Sequence, residues 1–217
     1  MLRRLCIGLI ALATLCAAGA EVRAQDRFYV VVFGAQPHPK QLRRTHAWAT
    51  FVRVSGDPAD PNAPCWQHTI SWLPATLEIR PLAAHPEPGV NLDLDRTLAV
   101  MRDYGAHTTA WGPIEIGPDL YNRSLAVKAR LESGQVGYRA LTSDCDLLMD
   151  DCNHAVASAG PEFGRHNSPL FRAGKPAGRR LARQVARRGE VGPGGADASW
   201  LLARLGLPRQ GVEVVSP

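Results

Sequence analysis

Three residues of the 217-residue chain are of types that cooperate in covalent catalysis: Cys152, His46 and His68. Asp151 is a good helix N-cap, so Cys152 falls at a helix start, where unpaired N–H groups and the positive end of the dipole favour thiolate. A sulfur so placed is a candidate nucleophile. His46 opens one extended run and His68 opens the next. A histidine on a neighbouring strand can take or hold the thiol's proton while a second polar group fixes its tautomer. His46 and His68 are the candidates for those two roles.

The same residues have plainer readings. Free cysteines are usually buried and inert, and Asp150 and Asp151 beside Cys152 oppose a thiolate. His46 and His68 could be ordinary strand residues satisfied by hydrogen bonds. Zinc is the main chemical rival, since His46, His68 and Cys152 with one acid would match a catalytic site. Yet the chain has neither H-x-x-x-H nor C-x-x-C, so no metal or cofactor is assigned. His154, two residues past Cys152, turns away from the thiol on a helix and reads as a packing residue. His107 reads as surface or turn; His38, His85 and His166 lie in loop-like sequence.

The elements that must position these residues follow from periodicity. Residues 28–33 (FYVVVF) form a continuous β-branched and aromatic run, the pattern of a buried strand. Residues 46–54 (HAWATFVRV) alternate, with His46, Trp48, Thr50, Val52 and Val54 on one face. Residues 55–64 are turn chemistry, leading to extended runs at 68–73 and 77–82. Residues 93–104 carry Leu94, Leu98 and Met101 at helical spacing and end at Gly105. Residues 107–116 return to strand, interrupted by Gly112-Pro113. Residues 118–133 form a second helix that opens with proline and stops before Gly134. Residues 136–142 read as strand. A short helix begins at Asp151–Cys152, further helices cover 176–188 and 198–205, and 212–215 is a last edge strand or loose tail. Trp48, Trp66, Trp72 and Trp111 fall in or beside strands, as core or groove lining.

Residues 1–24 read as a secretory signal: Arg3 and Arg4, the apolar run 5–18, then small residues, with cleavage after Ala24 or Ala20. No later stretch is apolar for long enough to cross a membrane, so the expectation is an exported chain, periplasmic or extracellular. Of five cysteines, Cys65, Cys145 and Cys152 remain after cleavage. Export permits one disulfide among them; Cys65 with Cys145 is preferred, leaving Cys152 free. The formal charge is +5, and residues 161–217 hold ten Arg or Lys against four acids. The expected organisation is therefore signal (1–24), α+β catalytic-like domain (25–160) and basic helical C-terminal extension (161–217). A slightly acidic middle argues against nucleic acid as a partner. The arginine-rich segment reads as a solvated helix face, though anionic lipid or cell-wall polymer would also suit it.

The stretch Asp151-Cys152-Asn153-His154-Ala155-Val156 (DCNHAV) resembles the Asn-Cys-Glu-His-Phe stretch of the circularly permuted papain-like proteins. That class includes lecithin retinol acyltransferase and relatives of the NlpC/P60 peptidases. There, too, the histidine strands precede the nucleophilic cysteine. The resemblance implies an α+β fold, an antiparallel sheet with helices at one side, and a Cys–His hydrolase or acyltransferase acting on an amide, ester or thioester bond. It implies that Cys152 attacks the carbonyl, N–H groups at the helix start hold the oxyanion, His46 is base and then acid, and His68 orients it. The substrate is then a small molecule or peptide, with cell-envelope material one source. The competing class is a non-enzymatic secreted or envelope-associated binding domain with structural Cys and His.

Overall fold

The computed structural model describes residues 26–57, 59–140, 149–164, 172–188 and 198–217. The expected signal peptide lies outside the described residues. Five strands form the main sheet: β1 (Arg27–Gln36), β2 (His46–Val54), β3 (Cys65–Ile70), β6 (His107–Ile116) and β9 (Glu213–Val215). Their order is β3-β2-β1-β6-β9. All neighbours are antiparallel except β6 and β9, which run parallel. A smaller sheet joins β4 (Trp72–Pro74), β5 (Glu87–Asn91), β7 (Gly137–Tyr138) and β8 (Met149–Asp150). The helices are α1 (Leu94–Asp103), α2 (Pro118–Glu132), α3 (Cys152–Ala157), α4 (Lys175–Arg188) and α5 (Trp200–Arg204). The architecture is α+β, a mixed sheet packed against helices.

The main sheet is covered on both faces, where helices on one side were expected. The reason lies in β1, whose unbroken apolar run leaves neither face fit for water. Val30 and Val32 join Ala49, Phe51 and Ile70 in a core closed by Leu120 and Leu131 of α2, Val156 of α3 and Leu181 of α4. Val31 and Phe33 join Trp48 and Val52 in a second core closed by Leu98 and Met101 of α1 and Leu201 of α5. Each such buried side chain contributes about 1.5–3 kcal/mol. Phe33 stacks on Trp48 at 5.0 Å between centroids.

The C-terminal segment, expected as an extension, is knit into this body. Leu181, Ala182 and Val185 of α4 enter the first core, and β9 pairs with β6. Glycine makes the approach of α4 possible: a Cβ at Gly178 would lie 2.5 Å from the Phe33 carbonyl oxygen. Residues 77–82 are not the expected strand. The Leu77 N–H closes a turn on the Pro74 carbonyl (2.8 Å), and Leu77 takes a left-handed φ of 58°. At Gly112 the β1–β6 register shifts between Val30 and Val32, so β6 continues past the interruption as a bulged strand. No helix among the described residues is long and apolar enough to cross a membrane.

Candidate active site

His46 stands at the first position of β2, opposite Ala35 of β1, with no solvent exposure. Its ring stacks on Trp48, 5.3 Å away and two residues along the same face. Nε2 lies 2.9 Å from the Ser71 hydroxyl, at the junction of β3 and β4. That hydroxyl lies 2.8 Å from Thr97 Oγ1, which in turn is 2.6 Å from the Asp93 carbonyl oxygen. Thr97 Oγ1 is the donor toward both the Ser71 hydroxyl and the Asp93 carbonyl, so Ser71 is held in place against Nε2. His46 Nδ1 is buried with no hydrogen-bond partner. Burial pushes the ring down to about 3, against a smaller opposing pull from Asp151, so the imidazole is a neutral base.

Cys152 begins α3, as its sequence neighbours demand. The Asp151 carboxylate caps the helix, accepting from the Asn153 and His154 N–H groups at 2.7 and 2.9 Å. His154 Nδ1 lies 2.8 Å from the other carboxylate oxygen, so His154 braces the cap. The Cys152 sulfur faces three backbone N–H groups: those of Ala47, Cys152 itself and Asn153. Ala47 follows His46, so the thiol reaches β2 one peptide bond from the histidine. Burial and the Asp151 charge push the thiol up to about 12, outweighing the three N–H groups. The cysteine is 6% exposed. At rest the Cys152 thiol and the His46 imidazole are both neutral. Tyr138, also buried, lies close enough that the charges of Cys152 and Asp151 add to burial in raising its hydroxyl.

His68 lies away from His46. It faces Phe51 across the β2–β3 pairing, and the two rings stack at 5.3 Å. Phe51 belongs to the first core and Trp48, stacked on His46, to the second. The two histidines thus lie on opposite faces of the sheet, and Phe51 is five residues along β2 from His46, about 16 Å at 3.3 Å per residue. His68 Nε2 lies 2.8 Å from the Ser124 hydroxyl, whose proton goes to the Tyr121 carbonyl at 2.6 Å. Burial, with Lys128 nearby, pushes the ring down to about 4. The side chain expected to lie against His46 was His68; the one found there is Ser71. A zinc site sharing His46, His68 and Cys152 fails on the same geometry, and no group of three or more His, Cys, Asp or Glu among the described residues could hold a metal ion.

No disulfide is seen among the described residues; Cys65 and Cys152 are free thiols, and Cys145 lies outside them. Cys65 pairs with Val54, seven residues along β2 from Ala47, which excludes a Cys65–Cys152 bridge.

Ser71, Thr97 and Asn91 were not foreseen as site residues. Asn91 Oδ1 accepts from the Ser71 N–H at 2.8 Å, while its amide donates to the Thr69 carbonyl and to Glu132. It therefore fixes the residue that fixes His46. Strict alternation through residues 68–71 carries the missing signal, for it puts Ser71 on the face opposite His68. Of the tryptophans, Trp48, Trp72 and Trp111 are buried, and only Trp66 is exposed, under the Arg53 guanidinium at 5.3 Å. Compared with known proteins, the chain matches no family model, no curated protein and no solved structure.

Proposed function

We propose that the chain is an exported thiol hydrolase or acyltransferase of permuted papain-like type, acting on an ester, thioester or amide through Cys152 and His46. One observation carries this reading: the Cys152 sulfur meets the N–H of Ala47, the residue next to a histidine whose Nε2 is committed to Ser71 and whose Nδ1 is not committed. In the first step His46 Nδ1 takes the thiol proton as Sγ bonds to the substrate carbonyl carbon. The carbonyl oxygen takes up the electron pair beside the Cys152 and Asn153 N–H groups, which favour the developing charge. The imidazolium then returns its proton to the leaving alcohol, thiol or amine. Water, or a second alcohol or amine, attacks the thioester so formed and restores the thiol. Because the resting pair is neutral, both charges arise together and only with substrate in place.

The burial of Cys152, with its thiol pushed up to about 12, favours a second reading, a non-enzymatic domain with a structural cysteine. Hydrolysis of a panel of p-nitrophenyl esters and aryl thioesters separates the two. The enzyme reading expects turnover that falls about 10²–10⁴-fold in Cys152→Ala and in His46→Gln. Turnover equal to buffer, or unchanged in both variants, leaves the structural reading.

A further inference from the structure

We propose that the exposed face of α4 is a docking surface for an extended polyol-phosphate chain, a phosphodiester polyanion without bases, since no aromatic side chain among the described residues lines the cleft to stack one. Arg179, Arg183 and Arg187 recur every four residues, about 6 Å apart along the axis, and all three are exposed. The opposite side of the helix is spent on the core through Ala177, Gly178, Leu181, Ala182 and Val185. With Gln36 and Gln184 the arginines line a cleft of about 530 Å³ that no carboxylate lines among the described residues. The contrast with other basic residues is informative. Arg123 pairs with Glu162, Arg130 with Asp150, and Lys175 at the cleft's end with Glu213. Arg179, Arg183 and Arg187 form no ion pair among the described residues, although like charges four residues apart oppose helix formation.

Charge complementarity chooses the occupant. A guanidinium presents a planar fork of N–H donors that matches phosphate in a bidentate way, and three forks at a constant repeat suit a chain with regularly recurring phosphates. A bilayer surface fits less well. The large apolar residues of α4, Leu181 and Val185, are buried and so cannot enter the acyl region, and the arginines line a concave cleft. The cleft opens at the end of β1, where Ala35 faces His46. The proposal holds whether or not Cys152 is a nucleophile.

The test is a titration of the full chain with fluorescent poly(glycerol phosphate) between 50 and 200 mM salt. Three phosphate contacts on a flexible chain predict a log–log salt slope of about −2. Combined R179A/R183A/R187A should weaken binding at least tenfold and remove that slope, with circular dichroism confirming the helix. Combined Arg→Lys changes should keep the slope while weakening binding. Arg96→Ala with Arg209→Ala, basic residues outside the cleft, should leave binding unchanged. The proposal is overturned by no polymer binding at 50 mM salt, by equal binding in the triple alanine variant, or by tighter binding to phosphatidylglycerol vesicles than to the polymer.

Discussion

His46 Nε2 lies 2.9 Å from the hydroxyl of Ser71, while Nδ1 of the same ring is buried with no hydrogen-bond partner. Ser71 is itself held through its hydroxyl by Thr97 and through its N–H by Asn91. Four elements thus converge on one imidazole: β2, the β3–β4 junction, β5 and the first turn of α1.

Replacing Ser71 by alanine leaves His46 Nε2 buried without a hydrogen-bond partner. The expected loss is about 1–3 kcal/mol of folding free energy in urea denaturation. Turnover should fall as well, and Ser71→Thr, which keeps a hydroxyl, should recover part of both. Unchanged stability in Ser71→Ala would mean that the hydrogen bond between Ser71 and His46 is not made.

The opposite placement of His68 makes a separable prediction. His68→Gln and Ser124→Ala should each lower stability by about 1–3 kcal/mol through an orphaned buried group. The rate at which Cys152 is alkylated, or turns over an ester, should not change. A loss of reactivity as large as that of His46→Gln would contradict the two-face arrangement.

Both histidines are depressed from the ordinary 6.5, to about 3 and about 4. Between pH 6.5 and about 4 the unfolded chain therefore binds protons that the folded chain does not. Stability should fall as the pH falls through that window, by about 1.4 kcal/mol per pH unit for each histidine. The urea midpoint followed against pH in wild type and His68→Gln checks this, the variant showing the shallower slope. Cys152 has the opposite limb. Its folded thiol keeps its proton from about pH 9 to about 12 while an unfolded one loses it, so stability should fall as pH rises there, and Cys152→Ala should flatten the fall.

Packing of α4 gives a test of the fold itself. Gly178→Ala would drive a methyl group to 2.5 Å from the Phe33 carbonyl oxygen. Backbone on both sides leaves little room to yield, and the expected cost is about 1–3 kcal/mol. A neutral result would show that α4 stands further from β1.

Much of this was legible in the sequence where local chemistry decides the outcome. Strand β2 spans the residues its alternation marks, His46–Val54, and α3 begins where Asp151 caps it. Helix α2 ends one residue short of the expected Ser133. What failed depends on register between distant segments. Two histidines at the starts of consecutive extended runs looked like partners, but Phe51 facing His68 places them on opposite faces. Strand β5, with Pro88 and Gly89 among its five residues, has no strand pattern to read; it exists because Trp72–Pro74 pairs with it. Asn91 at its end was hidden for the same reason. The apolar residues around Leu77 alternate as in a strand, whereas the backbone there follows the Pro74 turn.

The central claim is that Cys152 carries an acyl group with His46 as its base. Brief exposure to a p-nitrophenyl ester or aryl thioester, acid quench and peptide mass spectrometry reads it directly. The account predicts an acyl mass on the peptide containing Cys152 in the wild type, absent in Cys152→Ala and reduced at least a hundredfold in formation rate in His46→Gln. An unmodified Cys152, or acylation that proceeds equally fast without His46, would contradict it.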